Sequence, residues 1–316
     1  KCADDCGPAR AACQYGVVVG DMSAGSVGSD AMLYFTVDGG ANWTVTATNP
    51  FDNGQAISAV VCFQTTRETT RILVARGTTD AGEPAEVAYS DDDGATWTTA
   101  DVGSTNGQFV MEAEGLYALD MHNIWLVAGA GYIYHSIDGG VTWETQEAGV
   151  VTASALYCVK FTDALHGYAA GAANTIVYTA DGGVTWTIVA GPAARAGVAI
   201  HAMDVLDMYT VWLGYTGGYV HYTADGANWN LRTMPFAPAG TINYIAFYNS
   251  LVGYLIHDTA GPVGSVWRTI DGGYNWEIIP GLATNSGLTA LYPCGNNAAF
   301  VVGQVNTATG FVGKVY

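Results

Sequence analysis

The sequence predicts an all-β repeat protein built from four-stranded units. One turn motif, with a hydroxyl residue followed by Asp, Gly and Trp, recurs six times in 316 residues, and successive Trp residues lie 43 to 54 positions apart. Short apolar runs bounded by Gly, Asn and Asp fill the intervals, and no stretch keeps a helical period. Because the repeats run from end to end, we predict a single domain over residues 1–316.

We call the repeated motif the box. Five boxes have the same length, and the sixth is one residue shorter; they are Thr36–Trp43, Ser90–Trp97, Ser136–Trp143, Thr179–Trp186, Thr269–Trp276 and the short Thr223–Trp229. Asp and Ser/Thr side chains can accept hydrogen bonds from nearby backbone N–H groups, and Gly at the fifth position tolerates positive φ. The Trp residue is predicted to anchor the turn on the sheet by burial.

The Asp and Trp residues of the boxes are therefore predicted to be structural. They are Asp38, Trp43, Asp92, Trp97, Asp138, Trp143, Asp181, Trp186, Asp225, Trp229, Asp271 and Trp276. A calcium site in each box is the rival interpretation. Because most boxes carry one Asp whereas Ca²⁺ takes six to eight oxygen ligands, we predict no metal.

The strands follow the boxes in a regular order. The first module has "YGVVVGD" and "AMLYFT" before its box, and the second has "ISAVVCF", "RILVARG" and "AEVAYS". The third to sixth modules repeat this pattern, as in "VAIHAMDV", "TVWLGYTGG" and "YVHYT" of the fifth. The seventh module supplies "GLTALYP", "AAFVVGQV" and "GFVGKVY" and stops where its box would begin.

The box resembles the Asp-box, or BNR, repeat of sialidases, sortilin-type receptors and several glycosidases. The resemblance implies a β-propeller with each box between the third and fourth strands of a blade, away from the axial ligand site. Six four-stranded blades and the incomplete seventh module then predict a seven-bladed propeller. Residues 1–14 are predicted as a Cys-rich closure segment and residues 285–316 as the incomplete seventh blade, with the ring closed near the two chain ends.

A second resemblance rests on "NIWLVAGAGYIYHSIDGGVTW" (Asn123–Trp143) and "HGYAAGAANTIVYTADGGVTW" (His166–Trp186). These segments are similar to the Ycf48 group, the seven-bladed propellers related to photosystem II assembly factors. In that group the assembly role is associated with an Arg-rich surface patch, whereas this chain has seven Arg in total.

The net charge of −18, with only ten Lys and Arg, argues against two classes of partner. Nucleic acid needs clustered cations to neutralise phosphates, and anionic membrane surfaces attract basic segments. The sequence contains no run of eighteen apolar residues, so it predicts no transmembrane helix. We therefore predict neither a nucleic-acid partner nor membrane insertion.

Two pairs of carboxylates are candidates for catalysis. Glu112 and Glu114 lie together before an inner strand, and Asp204 and Asp207 lie in "AMDVLDM". Glycosidases need two carboxyl groups about 5–10 Å apart, which an axial channel could provide. The alternative is that all four are solvated turn residues.

The sequence does not contain the residue patterns that three other kinds of functional site require. Sialidases need three Arg converging on a carboxylate, but the one Arg cluster, Arg67, Arg71 and Arg76, lies within a single module. The six His show no zinc-ligand spacing, and no nucleotide-binding fingerprint is present in a suitable context. We predict no cofactor.

Three tyrosines are predicted to bind a partner. Tyr132 follows "AGAG", and Tyr215 and Tyr219 belong to "GYTGGY", where flanking glycines favour exposure. Exposed aromatic rings stack on sugar faces or anchor protein partners.

The cysteines fall into two groups. Cys2, Cys6, Cys13 and Cys294 are predicted to form two disulfides, one of which joins the chain ends. Cys62 and Cys158 lie in apolar strands and are predicted to be buried free thiols.

These patterns favour a non-enzymatic structural or binding propeller on a virion surface or in an extracellular assembly. Its predicted partners are another protein or its own copies, with glycan contacts as a further option. A sialidase-like Asp-box glycoside hydrolase and a Ycf48-like assembly factor remain as alternatives.

The disulfide prediction can be checked by non-reducing peptide mapping of the purified protein. We expect crosslinked peptides that contain Cys2, Cys6, Cys13 and Cys294. Recovery of all four residues as free thiols would contradict it.

Overall fold

The computed structural model describes residues 16–20, 32–39, 41–46, 50–51, 56–65, 69–77, 85–103, 114–259, 263–280, 286–305 and 314–315. The chain divides into two compact units. The first comprises residues 1–159 with 181–186, and the second comprises residues 160–180 with 187–316.

Antiparallel sheets with strands in chain order make up the first unit. The first sheet has β1 (Gly16–Gly20), β2 (Met32–Thr36) and β3 (Thr44–Val45). The second has β4 (Ala56–Gln64), β5 (Thr70–Gly77), β6 (Glu86–Ser90) and β7 (Thr98–Asp101). The third has β8 (Leu116–Asp120), β9 (Asn123–Val127), β10 (Tyr132–Ser136) and β11 (Glu144–Val150).

The remaining sheets follow the same pattern. The fourth has β12 (Leu156–Phe161), β13 (Gly167–Gly171), β14 (Ile176–Thr179) and β15 (Thr187–Ile188). The fifth has β16 (Ile200–Val205), β17 (Val211–Tyr215), β18 (Val220–Thr223) and β19 (Asn230–Arg232). The sixth has β20 (Thr241–Phe247), β21 (Gly253–Thr259), β22 (Val263–Thr269) and β23 (Glu277–Ile278). The last has β24 (Ser286–Gly295), β25 (Ala298–Val305) and β26 (Lys314–Val315).

The number of complete blades differs from the prediction. Among the described residues five sheets have four strands, whereas the first and last sheets have three each. The predicted set of six four-stranded blades therefore differs in its count from the described residues, in which the first module has the three strands β1, β2 and β3. The closure segment 1–14 lies outside the described residues, so ring closure near the chain ends stays a prediction.

Burial falls from the second strand of a sheet to the fourth. Every residue of β13 and of β17 is buried, whereas both residues of β15 and of β23 are exposed. A strand covered on both faces needs an apolar run, and an outer strand does not. This difference explains why the second strands "GYAAG" and "VWLGY" are recognisable in the sequence as apolar runs, whereas the fourth strands are not.

The cores lie between neighbouring sheets. In the first unit, Leu73 and Ala75 of β5 share a cluster with Leu126 of β9 and Tyr134 of β10. In the second, Trp212 of β17 packs with Ile245 of β20 and Leu255 of β21. Face-to-face packing of this kind buries the apolar surface that a single sheet would leave in water.

The boxes help to pack one sheet onto the next. A Cβ added to Gly140, the fifth residue of its box, would lie 2.8 Å from Leu73 Cδ1 in the preceding sheet. A Cβ on Gly273, the fifth residue of another box, would lie 2.2 Å from Trp212 Cη2. Leu73 and Trp212 hold equivalent positions, because each pairs with the Tyr that precedes a box hydroxyl residue. The fifth-position Gly is thus required by a neighbouring blade as well as by its positive φ.

Substitution of this glycine tests the contact between blades. Gly273→Ala should lower the free energy of unfolding by about 2–5 kcal/mol, since a left-handed Ala costs about 1–2 kcal/mol and the overlap with Trp212 adds about 1–3 kcal/mol. Denaturant unfolding measures the loss.

Gly197→Ala is the matched control. Gly197 has φ of +79° against +78° at Gly273, but no atom lies within 4 Å of its added Cβ. The control should show only the backbone cost of about 1–2 kcal/mol. An equal loss in both variants would contradict a packing role for the box glycine.

Candidate functional site

The turn between β17 and β18 carries the predicted tyrosines. Gly217 and Gly218 have φ of 88° and 71°, and Tyr215 N donates to Tyr219 O at 2.9 Å to close the turn. A Cβ on Gly218 would lie 2.6 Å from Ala239 O, so only glycine lets this turn reach the connection that precedes β20.

Tyr215 is buried, which differs from its predicted exposure. Its hydroxyl donates to Asn174 Oδ1 at 2.8 Å, and Asn174 Nδ2 donates to Pro192 O at 3.1 Å. The alternation of strand residues turns Tyr215 into the sheet, although its glycine neighbours suggested a surface position. Tyr215 therefore ties the β17–β18 turn to the preceding blade.

Tyr219 is half-buried and supports a cation. The guanidinium carbon of Arg195 lies 3.7 Å from the centre of the Tyr219 ring. Arg195 ends a short 3-10 turn, Ala193–Arg195, in the connection before β16. Within the described part of the chain no carboxylate forms an ion pair with Arg195. Among these residues the positive charge of Arg195 is therefore stabilised by the aromatic face of Tyr219 and not by a carboxylate.

Two histidines flank this pair. His221 lies two positions after Tyr219, on the same face of the hairpin, and its ring stands edge-on to Tyr215 at 5.3 Å. Burial, with a smaller contribution from the charge of Arg195, lowers the pKa of His221 to about 4, so this side chain is neutral at pH 7. His201 Nε2 lies 2.9 Å from Thr216 Oγ1, which fixes the imidazole beside the turn.

A second aromatic group adjoins the turn. His257 Nε2 lies 3.1 Å from the Cβ position of Gly218 and donates to Ala239 O at 2.7 Å. Its ring stacks on Phe236 at 3.8 Å, and Phe236 lies 5.1 Å from Trp267. Arg195, His201, Thr216, Tyr219 and Phe236 retain partial or full exposure, and we call them the loop surface.

Tyr132 lies in the first unit. It is half-buried and stacks on Tyr134 of the same strand at 6.1 Å with an interplanar angle of 12°. Within the described residues of this unit Tyr132 belongs to the edge of the core, whereas Tyr219 supports the half-buried Arg195.

The four candidate carboxylates have different environments. Glu112 lies outside the described residues, and Glu114 is buried just before β8. Asp204 is buried in β16, where Lys160 Nζ lies 3.3 Å from Oδ1 and Phe247 N donates to Oδ2 at 2.6 Å. Asp207 is exposed and accepts hydrogen bonds from Tyr209 N and Thr210 N, both at 2.8 Å. Asp204 thus joins the first strands of three successive blades, while Asp207 closes a turn.

The box carboxylates fix their own turns. In one box, Ser136 Oγ donates to Asp138 Oδ1 at 2.9 Å, and Thr142 donates to Asp138 through its backbone N–H and its hydroxyl at 2.9 and 2.6 Å. Donation from Asn42, first through its backbone N–H, lowers the pKa of Asp38 to about 2. Donation from the side chain and then the backbone of Thr96 lowers the pKa of Asp92 to about 2. These carboxylates are ionised acceptors at neutral pH and are unsuited to act as acids.

The box tryptophans are less uniformly buried than predicted. Trp186 and Trp276 are buried, whereas the other four are half-buried. In the short box, Trp229 Nε1 donates to Ala190 O at 3.0 Å, whereas Trp276 Nε1 donates to Gly273 O of its own turn at 3.2 Å. Loss of one residue removes the fifth-position glycine and leaves this Trp to bind the preceding connection.

The cysteines correct one prediction. Cys158 is a buried thiol outside any disulfide, whereas Cys62, predicted as a buried free thiol, is disulfide-bonded, as is Cys294. An apolar strand pattern cannot separate a thiol from a half-cystine, because both are small and apolar. With Cys62 in a disulfide and Cys158 free, the prediction that Cys2, Cys6, Cys13 and Cys294 form two disulfides among themselves is wrong. Cys2, Cys6 and Cys13 lie outside the described residues.

Two structural features are absent from the described residues. These residues contain no group of three His, Cys, Asp or Glu placed to hold a metal ion. Among the same residues no helix has the length and apolarity needed to cross a membrane.

Comparison with known families places the chain among β-propellers with BNR-type repeats. Residues 15–156 match the DUF6242 beta propeller domain, and residues 146–279 match the photosynthesis system II assembly factor YCF48. The resemblance to Ycf48-like propellers is thus confirmed, and the second match contains the whole loop surface. No curated protein matches the chain.

Solved structures show the same fold. YCF48 from Cyanidioschyzon merolae is 19% identical with a TM-score of 0.64, over 91% of this chain and 92% of that chain. A structure of YCF48 bound to D1 peptide is 17% identical with a TM-score of 0.66, over 94% and 96%. The GH74 xyloglucanase from Xanthomonas campestris is 17% identical with a TM-score of 0.64, over 90% of this chain but 52% of that chain.

The loop surface contains residues that the sequence did not single out. Arg195 and His201 carry no motif, and Phe236 lies in a connection without periodicity. Their one shared signal is position, since all precede or begin the first strand of a module. Connections at that end of a blade carry function more often than the strands do.

The buried ion pair yields a test of the inner strands. Lys160→Met should lower the free energy of unfolding by about 3–5 kcal/mol, because it leaves Asp204 charged and buried. Thermal or denaturant unfolding measures the loss.

A double variant provides the control. Lys160→Met with Asp204→Asn removes both charges and keeps an acceptor for Phe247 N, so it should recover most of the lost stability. If the single and double variants were equally unstable, the charge of Asp204 would not be the cause.

Proposed function

We propose that this protein is a non-enzymatic binding propeller that holds a peptide segment of a protein partner on the loop surface, as an assembly factor would. The observation that carries the proposal is the guanidinium of Arg195, held 3.7 Å above the Tyr219 ring. Aromatic residues and Arg are enriched among the residues that contribute most of the binding energy at protein recognition sites.

The architecture of the surface supports peptide binding. Tyr215, Asn174 and Pro192 form a hydrogen-bonded chain beneath it, and His257 stacks under Phe236. A side chain held by buried neighbours loses little conformational freedom when a ligand binds, which favours affinity. The side chains of the loop surface are therefore held in place before a ligand binds, even though they lie in connections between strands.

The comparisons support the same proposal. The YCF48 match over residues 146–279 includes every residue of the loop surface. One structural neighbour is a YCF48 that binds a D1 peptide, so a propeller of this fold can present a peptide site. At 17% identity the neighbour does not identify the partner of this chain.

A glycoside hydrolase is the second candidate, because one structural neighbour is a xyloglucanase. Such enzymes need a carboxylic acid with a raised pKa near a second carboxylate. Asp204 is paired with Lys160, and hydrogen bonds outweigh burial to leave the pKa of Asp207 lowered. These two environments disfavour hydrolysis by this pair.

The comparisons lend no support to the predicted virion-surface role. The extracellular location, glycan contacts and assembly with copies of the same chain all remain predictions. A protein partner is the option that agrees with both the loop surface and the peptide-bound neighbour.

Selection from a random displayed peptide library tests the proposal. The protein should enrich a set of peptides, and Tyr219→Ala or Phe236→Ala should weaken each by about tenfold or more, as expected when a binding anchor is truncated. Tyr248→Ala is the matched control, since Tyr248 is 50% exposed on a turn between the first and second strands of its sheet, remote from the loop surface.

Two results would overturn the proposal. One is a selection that enriches no peptide, or peptides whose binding depends equally on Tyr219 and Tyr248. The other is release of reducing sugar from xyloglucan that is lost on changing Asp204 or Asp207.

A further inference from the structure

We propose that Arg195 is the receptor for a carboxylate, so that the loop surface selects peptides with an acidic side chain or a free C terminus. This inference rests on the proposed function and names the ligand chemistry of the same surface. It runs against the chain's overall charge of −18, which by itself would attract basic peptides.

Four other described cations have polar partners, whereas Arg232, like Arg195, lies over aromatic rings. Arg71 binds Asp91 at 2.6 Å, Arg76 binds Glu86 at 2.9 Å, and Lys160 binds Asp204 at 3.3 Å. Arg268 donates to Asn297 Oδ1 at 2.5 Å. The guanidinium of Arg195, by contrast, makes no hydrogen bond or ion pair among the described residues, and its contact is the face of Tyr219.

The environment of Arg195 contains unsatisfied donors and acceptors. Its Nε is shielded from solvent and has no hydrogen-bond partner among the described residues. The same holds for Nδ1 of His221, whose side chain is 3% exposed. A buried polar atom without a partner is costly, and a ligand that supplies the partner gains that energy.

The geometry favours a carboxylate over a phosphate. Stacking on Tyr219 occupies the face of the guanidinium, and its N–H donors lie around the edge, where a planar carboxylate can accept two parallel hydrogen bonds. A phosphate dianion requires more positive charge than one Arg. His221, whose pKa is lowered to about 4 by burial and by the charge of Arg195, is neutral and adds no positive charge.

The neighbouring residues can hold the rest of a peptide. Phe236 offers an apolar ring, stacked on His257 at 3.8 Å, and Thr216 offers a hydroxyl beside His201. A peptide with an acidic group and an aromatic or aliphatic side chain fits this arrangement. Basic peptides would place a cation against Arg195.

The experiment uses synthetic versions of the peptides enriched in the library selection. Each is made with its acidic residues intact and with Glu→Gln and Asp→Asn replacements, all with amidated C termini. Each replaced peptide is also made with a free C-terminal carboxylate. These arms separate a side-chain carboxylate from a terminal one, and isothermal titration measures the affinities at fixed salt.

For the wild-type protein we expect a carboxylate, from either source, to improve affinity by about tenfold over the neutral amidated peptide, as for a charge-assisted hydrogen-bonded pair. Arg195→Ala should abolish that preference, so that acidic and neutral peptides bind this variant with equal affinity. Arg195→Lys should retain only part of it, because an ammonium cannot form the bidentate pair.

Arg232→Ala is the matched control. Arg232 also lies over an aromatic ring of the second unit, 4.6 Å from Tyr222, but beside a box rather than the loop surface. Its substitution should leave the carboxylate preference unchanged.

The possible failures are distinguishable. If acidic and neutral peptides bind wild-type protein equally, or if the preference survives in Arg195→Ala, the carboxylate inference is wrong and the peptide-binding function stands. If the enriched peptides are basic, the inference is also wrong. If no peptide is enriched, the proposed function fails and the inference fails with it.

Discussion

The contact between a box glycine and the preceding blade is the constraint on which each unit depends. Gly140 lies on Leu73 in the first unit, and Gly273 lies on Trp212 in the second. A side chain at either glycine would occupy space that its neighbour already fills. The box thus sets the distance between blades, and its Asp and hydroxyl residues hold the turn that presents the glycine.

This role separates the scaffold from the binding surface. The boxes connect third and fourth strands, whereas the β17–β18 turn connects second and third strands of the same antiparallel sheet. Successive turns of an up-and-down sheet lie at opposite ends of the strands. The loop surface is therefore remote from the boxes of its own blade and can vary while blade geometry is preserved.

The charged residues also fall into a structural group and a group available for binding. Asp38 and Asp92 have pKa values lowered to about 2 by hydrogen bonds within their turns, and Asp204 is committed to Lys160. These carboxylates stabilise structure. Arg195 stands apart from this network and is the described cation that the loop surface offers to a partner.

The sequence by itself determined the repeat, the strand order within each module and the position of each box, because turn chemistry and strand alternation are local. It did not determine how many blades are complete, since a strand's presence depends on pairing as well as on composition. It also placed Tyr215 and Tyr219 together, and only the tertiary structure separated them. Tyr215 is buried against Asn174 of a neighbouring blade, while Tyr219 carries Arg195 from a connection 24 residues earlier in the chain. Burial and stacking between blades arise from contacts distant in sequence, so no local pattern could have revealed them.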